Sequence, residues 1–202
     1  MSSYPPNPNR FDDFVKLLEL LKSVVPDRSA IYVSAPITSG RRLADWHRRS
    51  NGSLPQSSHP DYDELHAKEV IQPNREHAAA VIASLRAQYQ TAYLIDPTAM
   101  GDLDGWTQHD YRYFWGEVIK QYVVKVVFID GWHFSAGCAY EFLIAQRESI
   151  ETVDEQSRAL AAEDGVRLLH EAVNALGQAT DSGEFIRGVL RDLAHCKDGI
   201  YA

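Results

Sequence analysis

Residues 123–129 read VVKVVFI, and this run constrains the fold more than any other segment. It is rich in β-branched residues and ends at Asp130-Gly131, so it reads as a strand. Two shorter runs resemble it. Residues 30–33 (AIYV) end at Ala35-Pro36, and residues 92–95 (AYLI) end at Asp96-Pro97. The first lacks polar alternation, which implies burial on both faces and hence a parallel sheet. Residues 149–153 form a weaker fourth candidate.

Helical periodicity fills the intervals. Phe11, Phe14, Val15, Leu18 and Leu21 follow a potential cap at Asn9, and Pro26 stops that helix. Ala78, Val81, Ile82, Leu85 and Tyr89 follow a second potential cap at Asn74. Thr107 with Asp110 forms a capping-box pattern opening a helix to about Gln121. Residues 136–146 suit a further helix. Two more amphipathic segments follow. One carries Val166, Leu169, Val173 and Leu176 and ends at Gly177. The other carries Phe185, Ile186, Val189 and Leu193 behind an Asp181/Glu184 capping pair.

Strand–helix alternation predicts an α/β fold: a Rossmann-like or flavodoxin-like parallel sheet of four to five strands flanked by helices, with extra C-terminal helices. The 202 residues suit a single domain, with a core at about 28–155 and a C-terminal helical extension at 157–197. Residues 41–73 break every pattern. Asn51-Gly52, Pro55 and Pro60 with scattered histidines predict a long insertion loop there.

Composition limits the function. The chain is 45% hydrophobic and 24% charged, an ordinary globular balance that excludes wholesale disorder. No apolar run approaches the ~20 residues a membrane span needs. Residues 1–8 lack the pattern of a signal peptide. The net charge of −8 argues against a nucleic-acid polymer, while leaving room for a small anion in a locally positive pocket. Only two cysteines, Cys138 and Cys196, are present, so a reduced, cytoplasmic setting is expected. The eight histidines lack zinc-type spacing, and neither metal nor cofactor is called for.

Ligands of such sheets bind beyond the carboxyl ends of the strands. That rule selects residues 34–42, 96–107 and 130–137. In the last, Ser135 stands at a helix N-cap, with Gly137 and Cys138 in the first turn and Glu141 on the same face one turn on. Such a terminus suits phosphate, although Ser135 acting only as a cap and Glu141 as a solvated residue is the plain alternative. A helix N-terminus is also a place where a cysteine pKa can fall, but Cys138 has no assignable partner and cysteine there more often serves as small packing. The first segment, from Ser34 through Gly40 and Arg41, offers hydroxyls, a glycine and cations. Asp110 and Glu117 lie seven residues apart and project from nearly one side of their helix. Asp110 also suits a cap, and Glu117 a surface carboxylate near Arg112 and Lys120.

The segments IYVSAPITSG, LIDP and EVIKQYVVKVVFIDGWHFSAGCAYEFLIA together resemble the nucleoside 2-deoxyribosyltransferase-like superfamily. That group includes deoxyribosyltransferases and nucleotide N-glycosidases such as deoxynucleoside monophosphate and CMP hydrolases. The resemblance covers residues 31–146. It implies that Glu141 is the nucleophile, that Tyr32 lies beside it and that Ser135 meets a 5′-phosphate. Glu117 stands where those enzymes carry an aspartate assisting the leaving base, with Asp110 as its rival. Gly40 and Arg41 fall in the loop lining the sugar-phosphate side. Ser34, Asp96 and Gly137 join the substrate-binding set, and Trp106, Trp132 and Tyr111 are candidates for stacking on a base. The resemblance also implies homodimers, with the 185–193 helix or the Tyr111/Tyr113/Trp115 patch as interface.

The chemistry implied is cleavage of an N-glycosidic bond, with a carboxylate stabilising or trapping C1′ as in retaining glycosidases. The expected partner is a nucleoside or nucleotide, and hydrolysis of a 5′-monophosphate is the leading expectation. Transfer of a deoxyribosyl group, a non-catalytic nucleotide-sensing module, and cleavage of a dinucleotide such as NAD are the alternatives.

Overall fold

The computed structural model describes residues 10–49, 60–101, 103–176 and 181–198. Its centre is a four-stranded, all-parallel sheet of β1 (Ala30–Ser34), β2 (Tyr93–Ile95), β3 (Val123–Phe128) and β4 (Glu151–Asp154), ordered β2-β1-β3-β4. The chain runs from β1 outward to β2, then crosses back to β3 on the other side of β1. The direction of winding therefore reverses between β1 and β3. A crevice opens at the carboxyl ends of those two strands.

The eight α-helices among the described residues are α1 (Phe11–Val24), α2 (Arg41–Arg49), α3 (Tyr62–His66), α4 (Gln72–Gln88), α5 (Gln108–Tyr122), α6 (Ala136–Arg147), α7 (Ala162–Leu176) and α8 (Asp181–Asp198). Strand residues alternate between two cores. Ala30, Tyr32, Val126 and Phe128 pack with Phe14 of α1, Phe114 and Val118 of α5, Phe142 of α6 and Ile186 of α8. Ile31, Val33, Val127 and Ile129 pack on Ala78, Ile82 and Leu85 of α4. Every residue of β1 is buried, as its unbroken apolar character predicts.

The described parts of the 41–73 segment, 41–49 and 60–73, are largely helical and not loop, while 50–59, with Asn51-Gly52 and Pro55, lie outside the described residues. α2 occupies the start, and Tyr62–Gln88 is one continuous helical stretch in which α3 passes through a π-helical turn (Ala67–Ile71) into α4. Pro73 misleads a reading of the sequence, because proline usually ends a helix. Here the π turn just upstream absorbs the missing N–H donor and the ring's steric demand. Asn74 is consequently no cap. It lies inside the helix, 8% exposed, and its side chain reaches elsewhere. The proposed cap Asn9 and the stop at Gly177 lie outside the described residues.

The C-terminal helices belong to the main core. Ile186, Val189 and Leu193 of α8 are at most 5% exposed, and each contributes about 1.5–3 kcal/mol by burial. Their apolar face packs within the same chain, with α6 and α7. Gly165 lets α7 approach closely, since a Cβ there would run into the Phe142 ring. No helix among the described residues is long and apolar enough to cross a membrane.

Candidate active site

A cavity of about 660 Å³ opens at the β1/β3 crevice. All three post-strand segments reach it. Ile37, Thr38 and Ser39 come from the loop after β1. Pro97 and Thr98 follow β2. Ser135, Gly137, Cys138 and Glu141 lie beyond β3, on the first turns of α6 and its cap. One face of α5, Gln108, Tyr111, Arg112 and Trp115, forms a side wall at helical spacing. Leu43 of α2, Arg75 of α4 and Asp181, Ser182 and Phe185 of α8 also line it.

Two glycines allow the loops after β1 and β3 to meet. Gly40 (φ +86°) and Gly131 (φ +80°) both adopt the left-handed region. A Cβ on Gly131 would lie 3.0 Å from the backbone nitrogen of Arg41, so only glycine permits this approach.

Glu141 is the focus of the cavity. Tyr32 Oη donates to its Oε1 at 2.7 Å, and Ser34 Oγ donates to its Oε2 at 2.6 Å. Both donors are fully buried on β1 and face the same side of the sheet, two residues apart. Burial raises the Glu141 pKa to about 7, against the lowering effect of the Ser34 and Tyr32 hydrogen bonds. Among the described residues no cation pairs with it. The Tyr32 hydroxyl pKa is raised well above its usual value, by burial first and then by Glu141, so the phenol stays a donor.

Ser135 caps α6, accepting from Cys138 N at 3.5 Å, and also faces the cavity. Cys138 is buried, as suits a small packing residue, and its thiol pKa is not lowered. Burial first, and then the Glu141 carboxylate, push the thiol up to about 12, outweighing the helix terminus.

Several expected site residues lie elsewhere. Glu117 binds Lys120 at 2.6 Å, on a different face of α5 from Trp115. Asp110 is fully buried in the capping box. Its Oδ2 accepts from Thr107 N and Oγ1, while Oδ1 has no partner. Arg41 pairs with Asp130 (3.5 Å), approaches His133 (3.4 Å) and does not line the cavity. Asp96 binds Thr98 N and Oγ1 and so shapes a lining residue from behind. Trp106 packs on Phe14, and Trp132 packs on Phe128 and Phe142. Tyr111 does line the wall, its hydroxyl accepting from Leu103 N. Of the suggested dimer patch, Tyr111 and Trp115 face the cavity.

Reading the sequence missed Arg75, Arg112, Trp115 and the α8 residues. The i, i+3, i+4, i+7 series at 108, 111, 112 and 115 was the available signal for α5. Trp115 packs edge-on against Tyr32, a donor to Glu141, with 5.9 Å between ring centroids. Arg112 lies 4.5 Å from the Phe185 ring centroid. A second groove of about 430 Å³ runs between α6 and α8, and none of the expected catalytic residues lines it. No protein-family model, curated protein or solved structure matches the chain.

Proposed function

We propose that this cavity binds a nucleoside 5′-monophosphate or a related nucleotide and cleaves its N-glycosidic bond through Glu141. The observation that carries this reading is the Glu141 carboxylate, exposed to a cavity and held at both oxygens by Tyr32 and Ser34. A carboxylate fixed in this way is oriented for attack at one atom and cannot swing away. Attack on C1′ forms a glycosyl ester. The base departs with the bonding electron pair and takes up a proton from solvent water. Water then cleaves the ester and restores the carboxylate. Ser135, Thr38 and Ser39 offer hydroxyls to the substrate's polar groups, and Arg75 and Arg112 supply the positive charge first looked for in Arg41.

The test is release of free base, followed chromatographically, from a panel of nucleosides and nucleotides. The expected result is release from a 5′-monophosphate. Glu141→Ala should lower it by at least about 10³-fold. Release by Glu141→Ala at the wild-type rate sinks the nucleophile. Base appearing only when a second base is supplied marks a transferase. Nucleotide binding without any release marks a sensing module.

A further inference from the structure

The insertion between β1 and β2 reaches back to the cavity loop. Asn74 donates through Nδ2 to Ile37 O at 3.0 Å and to Ser39 O at 2.9 Å. His66, the last residue of α3, meets Thr38 O at 2.8 Å through Nε2, which must be the donor because a carbonyl only accepts. Three successive carbonyls are thus engaged by side chains that do not themselves line the cavity.

The tether is itself supported. The His66 ring is nearly coplanar with Trp46 (11°, 6.1 Å between centroids) and stacks on Tyr62 at 5.4 Å. Trp46 is 6% exposed and Val70, in the π turn, is fully buried. The π turn matters here, because an added residue in a turn rotates everything beyond it about the helix axis. It sets the face of α4 that carries Asn74.

A carbonyl oxygen is an acceptor, and one turned into the cavity would repel an oxyanion. All three carbonyls are held by the scaffold, and Thr38, Ser39 and Arg75 themselves line the cavity. Arg75 follows Asn74 in α4 and forms no ion pair among the described residues.

We propose that Asn74 and His66 are positioning residues: the insertion holds the 37–39 loop in a donor-presenting shape and thereby sets a preference for ligands bearing phosphate. This rests on the reading of the cavity as a nucleotide site. The substrate is held by the loop, and the loop is held by the insertion.

The experiment compares binding of nucleoside 5′-monophosphates and the matching nucleosides to the full-length chain by calorimetry. Wild type should bind at least one monophosphate more tightly than its nucleoside. Asn74→Ala removes two donors and should weaken monophosphate binding about 10-fold, leaving nucleoside binding within about 2-fold. Asn74→Asp should be worse, because a carboxylate faces two carbonyls. His66→Phe keeps an aromatic stack, removes the donor, and serves if the Asn74 variants fail to fold. It should show the same selective loss. Equal loss for nucleosides and monophosphates, or no loss for either, overturns the proposal. So does a wild type indifferent to phosphate. Failure of base release with selective binding intact would sink the catalytic reading and leave this one standing.

Discussion

At the scale of the residue, Glu141 combines a buried setting with two short hydrogen bonds, and these oppose each other. Burial disfavours the charged form, and the donors favour it, leaving the pKa at about 7. If Glu141 acts as the proposed nucleophile it must be ionised, so base release should climb with pH through about 7. Tyr32→Phe deletes one donor to the carboxylate. The rising limb of the pH–kcat/KM profile should then move up by about 1 pH unit. An unmoved limb would mean that Glu141 is not the group being titrated. Trp115 is the one of the chain's four tryptophans that lines the cavity. A bound base should quench its fluorescence, and Trp115→Phe should abolish that quenching. Quenching that survives the substitution would place the base elsewhere. Ser34 and Tyr32 also illustrate legibility. Both are visible as strand residues, yet their convergence on one carboxylate 107 and 109 positions away is not local information.

At the scale of the element, α5 shows how a helix divides its roles. Thr107 and Asp110 fix where it starts, and both were legible as a capping box. Which face meets the cavity was not legible, because Glu117 is the conspicuous acidic residue of the helix while the wall is built by Tyr111, Arg112 and Trp115. The long helix from Tyr62 was obscured for a different reason. Proline and sparse apolar spacing hide a helix whose packing depends on a π turn. α7 makes its own demand on packing. Gly165→Ala would force the Phe142 ring aside, and destabilisation of about 1–3 kcal/mol is expected in urea unfolding. A neutral result would mean that α7 shifts freely on α6.

At the scale of the whole molecule, two buried groups pull stability in opposite directions. Burial first, and then the Arg41 charge, lower the His133 pKa from 6.5 to about 4. The unfolded chain therefore binds the extra proton between those values. The stabilisation is complete above pH 6.5 and is lost toward pH 4, amounting to about 3 kcal/mol. Glu141, raised from 4.5 to about 7, has the reverse sign: the folded state holds the extra proton, so its stability contribution declines as pH rises across that window. In the wild type the two slopes oppose each other between pH 4.5 and 6.5. His133→Gln should make stability fall with rising pH, and Glu141→Gln should make it rise, as measured by urea unfolding at several pH values. Identical profiles for both variants would contradict this assignment. The sequence by itself determined the α/β alternation, β1 as a doubly buried strand, and the three post-strand segments around the cavity. Those follow from local hydrophobic period and chain order, which short-range sterics and burial dictate. Only the tertiary structure decided which carboxylate meets Tyr32 and Ser34, that Arg75 and Trp115 face the cavity while Arg41 and Glu117 turn away, and that Asn74 grips the first loop. Those depend on the rotation of each helix about its axis. Packing of the whole core sets that rotation, and no single segment encodes it.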